Sequence, residues 1–190
     1  MEDFKLNMGY HTDFWGSFEL DEPLNEEQVI YLKAFAKTRR MARDVEEYLA
    51  SDRNRLFETV GLDIGVQGMY VADGAGWEMG EYHRLCLIKE PDDGGGGYNT
   101  PPTGQPGLWC QWIPNDEGTE ILWNGHEKFY HYVDWIKWLI EHFFEPWGRT
   151  LNGSVRFHGD EPDDRGAIYI KDNKVEQVFD EVSNAGPSWD

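Results

Sequence analysis

The sequence predicts an α+β fold, a mostly antiparallel sheet with one long and one shorter helix packed on one face. Three observations lead there. The last third of the chain alternates apolar and polar residues in short runs joined by tight turns. Two segments carry apolar residues at helical spacing. Most of the connections between extended segments are short enough to be hairpins, which makes neighbouring strands antiparallel.

In order, Gly9 to Leu20 reads as a strand with Tyr10, Phe14 and Phe18 among polar neighbours. A helix follows, because Asn25 can cap it and Gln28 stands at the capping-box spacing. Val29, Ile30, Leu32, Ala34 and Phe35 form its apolar side to about Arg40, and Asp44 to Ala50 fits a second short helix. The region from 61 to 107 is rich in Gly and Pro, and 90–107 reads as a long surface loop. Leu108 to Ile113 and Thr119 to Trp123 look like strands around a Pro114–Gly118 turn. Glu127 to Glu145 reads as the long helix, with Phe129, Val133, Ile136, Ile140 and Phe143 on one side and Pro146 and Gly148 as its stop. Strands are expected at 153–157, 167–171 and 175–179, then a flexible tail at 183–190. Residues 1–190 are expected to form one domain.

Composition narrows the function. The 190 residues hold 36 Asp and Glu against 17 Lys and Arg, a net charge of −19. Sequence-independent nucleic-acid binders neutralise phosphates with a basic face, so direct binding of nucleic acid is not expected. Neither is docking on anionic lipid. The 9 Trp, 9 Tyr and 10 Phe argue for a packed core. Met1-Glu2-Asp3-Phe4-Lys5 has neither a basic start nor an apolar run, and a cytoplasmic location is the expectation. Cys86 and Cys110 read as reduced, buried thiols, although the sequence alone leaves their pairing open.

The charge is uneven. Residues 61–126 carry 10 acids against 2 bases, a net −8, compared with −5 before and −6 after. Dense carboxylates stand in expected loops: Asp92 and Asp93, Asp116 and Glu117, and Asp160, Glu161, Asp163 and Asp164. Carboxylates on one surface can imitate a row of phosphates and steer a basic partner. Asp160 to Gly166 lacks the ligand spacing of a calcium loop, and no His or Cys pair has zinc spacing, so no metal site is expected. Nucleophile elbows and phosphate loops are missing, which favours a binding role over catalysis and implies no cofactor. Arg39, Arg40 and Arg43, with Lys37, crowd the end of the first helix. They serve the helix dipole or form an anion site. Trp109, Trp112, Trp123, Trp135, Trp138 and Trp147 fall close together. One narrow stripe cannot bury both Trp135 and Trp138 with Leu139 and Ile140, so some of these rings are expected at the surface.

Thr38-Arg39-Arg40-Met41, Pro101-Pro102, the string Gln105-Pro106-Gly107-Leu108-Trp109-Cys110-Gln111-Trp112, Glu127-Lys128-Phe129-Tyr130, Leu151-Asn152-Gly153 and the acidic turn ahead of Asp172-Asn173 resemble a group of small acidic proteins encoded by bacteriophages and bacteria. That resemblance implies a cytosolic protein of phage or mobile-element setting and brings no catalytic residues with it. The leading expectation is an inhibitor that binds a basic nucleic-acid-handling protein, such as a CRISPR or restriction nuclease. Two alternatives stand beside it. One is a nucleotide binder using Arg39, Arg40 and tryptophan; the other is a structural or regulatory partner in a phage assembly.

Overall fold

The computed structural model describes residues 10–74, 84–87 and 96–180. The fold is α+β. Six strands form one antiparallel sheet: β1 (Thr12–Leu20), β2 (Trp112–Pro114), β3 (Glu120–Trp123), β4 (Leu151–Gly159), β5 (Arg165–Lys171) and β6 (Lys174–Phe179). Their spatial order is β2-β3-β1-β4-β5-β6, so β1 sits at the centre between two hairpins that follow it in sequence.

The register follows from alternation. Phe14 and Phe18 of β1, Val155 and Phe157 of β4, and Ile168 and Ile170 of β5 are buried on one face. On the opposite face, Trp15, Arg156, Ala167 and Val178 form one cross-strand row, and Trp15 is 56% exposed. The β5–β6 turn uses Asp172 and Asn173, both at positive φ, as a two-residue hairpin of this hand requires. Gly16 is held at φ 102 with the Ser154 carbonyl oxygen 2.8 Å from where a Cβ would sit, so the centre of β1 admits only glycine.

Among the described residues, four named α-helices make up the helical layer, instead of one long and one shorter helix. They are α1 (Glu26–Lys37), α2 (Val45–Ala50), α3 (Leu56–Thr59) and α4 (Tyr132–Leu139). Both arms of the capping box between Asn25 and Gln28 are made. The long helix expected from Glu127 begins only at Tyr132, because Lys128 and His131 take left-handed backbone. It then continues as a π-helical turn, Ile140–Phe144, whose wider winding turns both Phe143 and Phe144 inward. Trp135, Trp138, Leu139 and Ile140 are all buried, contrary to the narrow-stripe expectation. The reason is that α4 is enclosed from two directions. Tyr132 meets Phe14 and Phe157 of the sheet, while Trp135 and Trp138 meet Phe35 of α1.

Residues 38–110 contain no strand among the described residues, only an isolated bridge between Arg43 and Cys86. The extended segment expected from Leu108 starts at Trp112 instead, since the Leu108 carbonyl accepts from the Arg40 N–H and is not free for a ladder. Cys86 and Cys110 are buried thiols that are not joined in a disulfide. No helix among the described residues is long and apolar enough to cross a membrane.

Candidate functional site

A cleft of about 910 Å³ opens beside the end of α1. Four stretches meet there, one of them marked by Gly74. The last turn of α1 supplies Ala36 and Lys37, residues 107–111 supply Gly107 and Trp109, and the connection into α4 supplies His126, Lys128, Tyr130 and His131. Each wall is fastened. Arg40 N–H donates to the Leu108 carbonyl at 2.9 Å, which ties the 107–111 segment to the end of α1. The Gln111 amide donates to the Glu127 carbonyl at 3.1 Å, and Trp123 Nε1 donates to Gln111 Oε1 and to the His126 carbonyl. These bonds hold the 126–131 segment in a shape that includes left-handed Lys128 and His131. Each such non-glycine residue costs about 1–3 kcal/mol and persists only where its surroundings enforce it.

The lining is unusual for this chain. Among the described lining residues, Lys37, Lys128, His126 and His131 stand with one carboxylate, Glu127, in a protein of net charge −19, and His131 also lies 3.8 Å from Asp134 at the start of α4. The Trp135 indole N–H lies under the floor. It is fully buried, has no acceptor among the described residues, and sits 3.7 Å from the Cβ position of Gly107.

The arginine run beside the cleft divides into two kinds. The Arg39 guanidinium lies 4.1 Å from the Tyr98 ring centroid and 5.6 Å from that of Trp109, and donates to the Tyr98 carbonyl. Arg40 and Arg43 are completely buried. Arg40 donates to the carbonyls of Thr38 and Val71 and lies 4.0 Å over Phe35. Arg43 donates to the carbonyls of Met41 and Arg39. Burial pulls the Arg40 guanidinium down to about 9, with Arg43 beside it adding to the effect. As buried carbonyl donors, Arg40 and Arg43 are not open to an anion in solution; Arg39 reaches the cleft only through its contact with Trp109, which lines it.

The acidic residues end up in two places. The Asp116–Glu117 turn joins β2 to β3 beside the Leu20 end of β1. The turn with Asp160, Glu161, Asp163 and Asp164 joins β4 to β5 at the Thr12 end. A nine-residue strand separates them, about 27 Å along its axis. Asp116 pairs with Lys33, which holds its carboxyl below the usual range. Asp160 accepts from the His11 N–H, and Asp164 from the Tyr10 hydroxyl. Glu117, Glu161 and Asp163 are exposed. Asp92 and Asp93 lie outside the described residues, as do 90–95 of the expected loop and the tail at 183–190. Among the described residues, no group of three or more His, Cys, Asp or Glu is placed to hold a metal.

No family model, curated protein or solved structure matches this chain.

The cleft was not legible in the sequence. Its residues belong to no motif, and Glu127 to Tyr130 read as the start of a helix. One signal was available: no Ser, Thr, Asp or Asn stands immediately before Glu127 to cap such a start.

Proposed function

We propose that this protein is an acidic interaction protein of phage or mobile-element setting. In the cytoplasm, it binds a basic nucleic-acid-handling protein, such as a CRISPR or restriction nuclease, and occupies the groove that would take nucleic acid.

The observation that carries this reading is the fate of the cations. Two arginines are buried on backbone carbonyls. Arg53, Arg55, Arg149 and Arg156 are each engaged by a carboxylate of the chain, as is Lys33. With so many cations turned inward or paired, exposed carboxylates such as Glu117, Glu161 and Asp163 dominate what a partner meets. The spacing of the two acidic turns also suits the role. About 27 Å corresponds to about eight base-pair steps of a duplex at ~3.4 Å per step, a footprint a nuclease groove can accept. Charge complementarity of this kind acts mainly on the association rate and weakens with salt.

Reversal of charge at both ends tests the reading. Wild-type protein, an Asp160→Lys/Glu161→Lys/Asp163→Lys variant and an Asp116→Lys/Glu117→Lys variant are compared for capture of nucleic-acid-handling proteins from bacterial lysate at low and high salt. Captured nucleases are then assayed for inhibition. The expected result is a basic nuclease retained at low salt, lost at high salt, and held at least tenfold more weakly by one or both variants. Equal capture by all three proteins, or no basic protein retained, rejects the proposal.

A further inference from the structure

The cleft between the end of α1 and the entry to α4 contradicts the electrostatics of the rest of the molecule, and the acidic-surface reading makes no use of it. We propose that it is a binding site for a small planar-ring anion of the mononucleotide class. Lys37 and Lys128, with His126 and His131, take the phosphate; Trp109 and Tyr130 take the ring.

Four observations support the assignment. First, the volume of about 910 Å³ falls in the range of small-molecule and cofactor sites. Second, the described lining gathers two ammonium groups and two imidazoles with one carboxylate, Glu127, and Asp134 beside His131, while the chain as a whole carries 36 acids to 17 bases. Random placement of surface charge on so acidic a protein would give the opposite balance. The cations also converge on one space from two separate parts of the chain, which is how a fold makes an anion site. Third, Lys128 and His131 are both left-handed without being glycine. Glycine at either position would relieve the strain, so holding side chains there is a cost that the fold maintains beside the cleft. Fourth, the buried Trp135 N–H has no acceptor among the described residues and lies next to Gly107, on the cleft floor. A buried donor without a partner is costly and rare. Gly107, which lines the cleft, carries no side chain on the side of that donor.

The aromatic part follows from Trp109 and Tyr130, which line the same space. Tyr130 is half exposed. Arg39 packs over the Trp109 ring and stiffens it. A simple inorganic anion would use the cations but leave these rings and most of the volume unoccupied.

The test uses the full chain with four ribonucleoside monophosphates, the matching nucleosides and inorganic phosphate as probes, read by tryptophan fluorescence and calorimetry. At least one monophosphate is expected to bind with micromolar to submillimolar affinity, more tightly than its nucleoside and than phosphate by about tenfold or more. Lys128→Gly removes the ammonium at a position where glycine is preferred. It is therefore expected to keep or raise the melting temperature while weakening binding about tenfold. Gly107→Ala fits the backbone, since its Cβ would meet only His131 and Trp135 at ordinary contact distances, yet it covers the Trp135 N–H and should also weaken binding. Either of two results overturns the proposal: no monophosphate bound at millimolar concentration by folded wild-type protein, or affinity unchanged in both Lys128→Gly and Gly107→Ala. Inorganic phosphate binding as tightly as every monophosphate removes the ring from the proposal and overturns the ligand class.

Discussion

Strands β1, β4, β5 and β6 exchange their backbone hydrogen bonds with one another along an unbroken ladder, nine paired positions between β1 and β4 alone. The described residues of 38–110 bury many side chains as well but have almost no ladder to join. Buried carbonyls there still need donors. In this region arginine supplies them: Arg40 bonds Thr38 and Val71, Arg43 bonds Met41 and Arg39, and Arg39 bonds Tyr98. A guanidinium has five N–H groups in a fixed fork, so one side chain can fasten two loops that the backbone cannot join. The difference teaches that a cluster of basic residues on an acidic chain can be internal scaffolding. Its charge is tolerated through carbonyl dipoles, the Phe35 ring and the attraction of nearby Asp73.

The sharpest way to break this comparison is Arg40→Met. The substitution keeps much of the volume and leaves the Thr38 and Val71 carbonyls without their donor. Each unsatisfied buried carbonyl costs about 1–3 kcal/mol, so a loss of about 3–5 kcal/mol in urea unfolding is expected. Arg40→Lys should recover only part of it, since a point donor cannot reproduce the fork. Amides of residues 38–74 should exchange faster well before those of β4 and β5. A variant within about 1 kcal/mol of wild type would show that these carbonyls find other partners.

Alkaline pH gives a second, smaller separation. Cys110 is buried in the arginine-stapled region, and burial pushes its thiol up from an ordinary 9.0 to about 12. Between those values the unfolded chain releases a proton that the folded chain keeps. The contribution is therefore fully present below pH 9 and lost as pH rises toward 12, at up to about 1.4 kcal/mol per pH unit. Tyr132, also raised to about 12 by burial, acts in the same direction in both proteins compared. Cys110→Ala lacks the thiol titration, so its stability should gain on wild type by about 2–3 kcal/mol between pH 8.5 and pH 11. Parallel curves across that range would mean that the thiol ionises in the folded protein near its ordinary value.

The same contrast explains what could be read in advance. β4, β5 and β6 were visible because alternation and a two-residue turn are local signals, and Asn25 with Gln28 announced α1. The role of Arg40 was not visible, because its acceptor at Val71 lies 31 residues away along the chain. For the same reason Leu108 read as strand although its carbonyl belongs to Arg40. The entry to α4 misled because Lys128 and His131 hold backbone that their residue types disfavour, a cost only tertiary contacts can enforce. Trp15, which the sheet leaves exposed along with Tyr169 and Phe179, stands apart in sequence from the tryptophans crowded between 109 and 147. The acidic turns were legible as residues and as loops. Their separation to opposite ends of β1 was not, since it depends on β1 pairing with both β3 and β4.

The smallest effect sharpens the comparison by using the same residue type in the other region. Arg156 stands on the open face of the sheet between Trp15 and Ala167, and its guanidinium donates to Asp180 at 2.6 Å. Its side chain is 59% exposed, so water can replace the carboxylate, and the backbone around it is already bonded in the ladder. Arg156→Ala should therefore cost only about 0.2–1 kcal/mol, and that small difference should shrink as salt is raised. Arg40→Met should be nearly indifferent to salt, because its partners are buried carbonyls rather than a solvated carboxylate. If Arg156→Ala instead cost as much as Arg40→Met, the worth of an arginine in this protein would not depend on whether a ladder already satisfies the backbone around it. The division between the two regions would then fail.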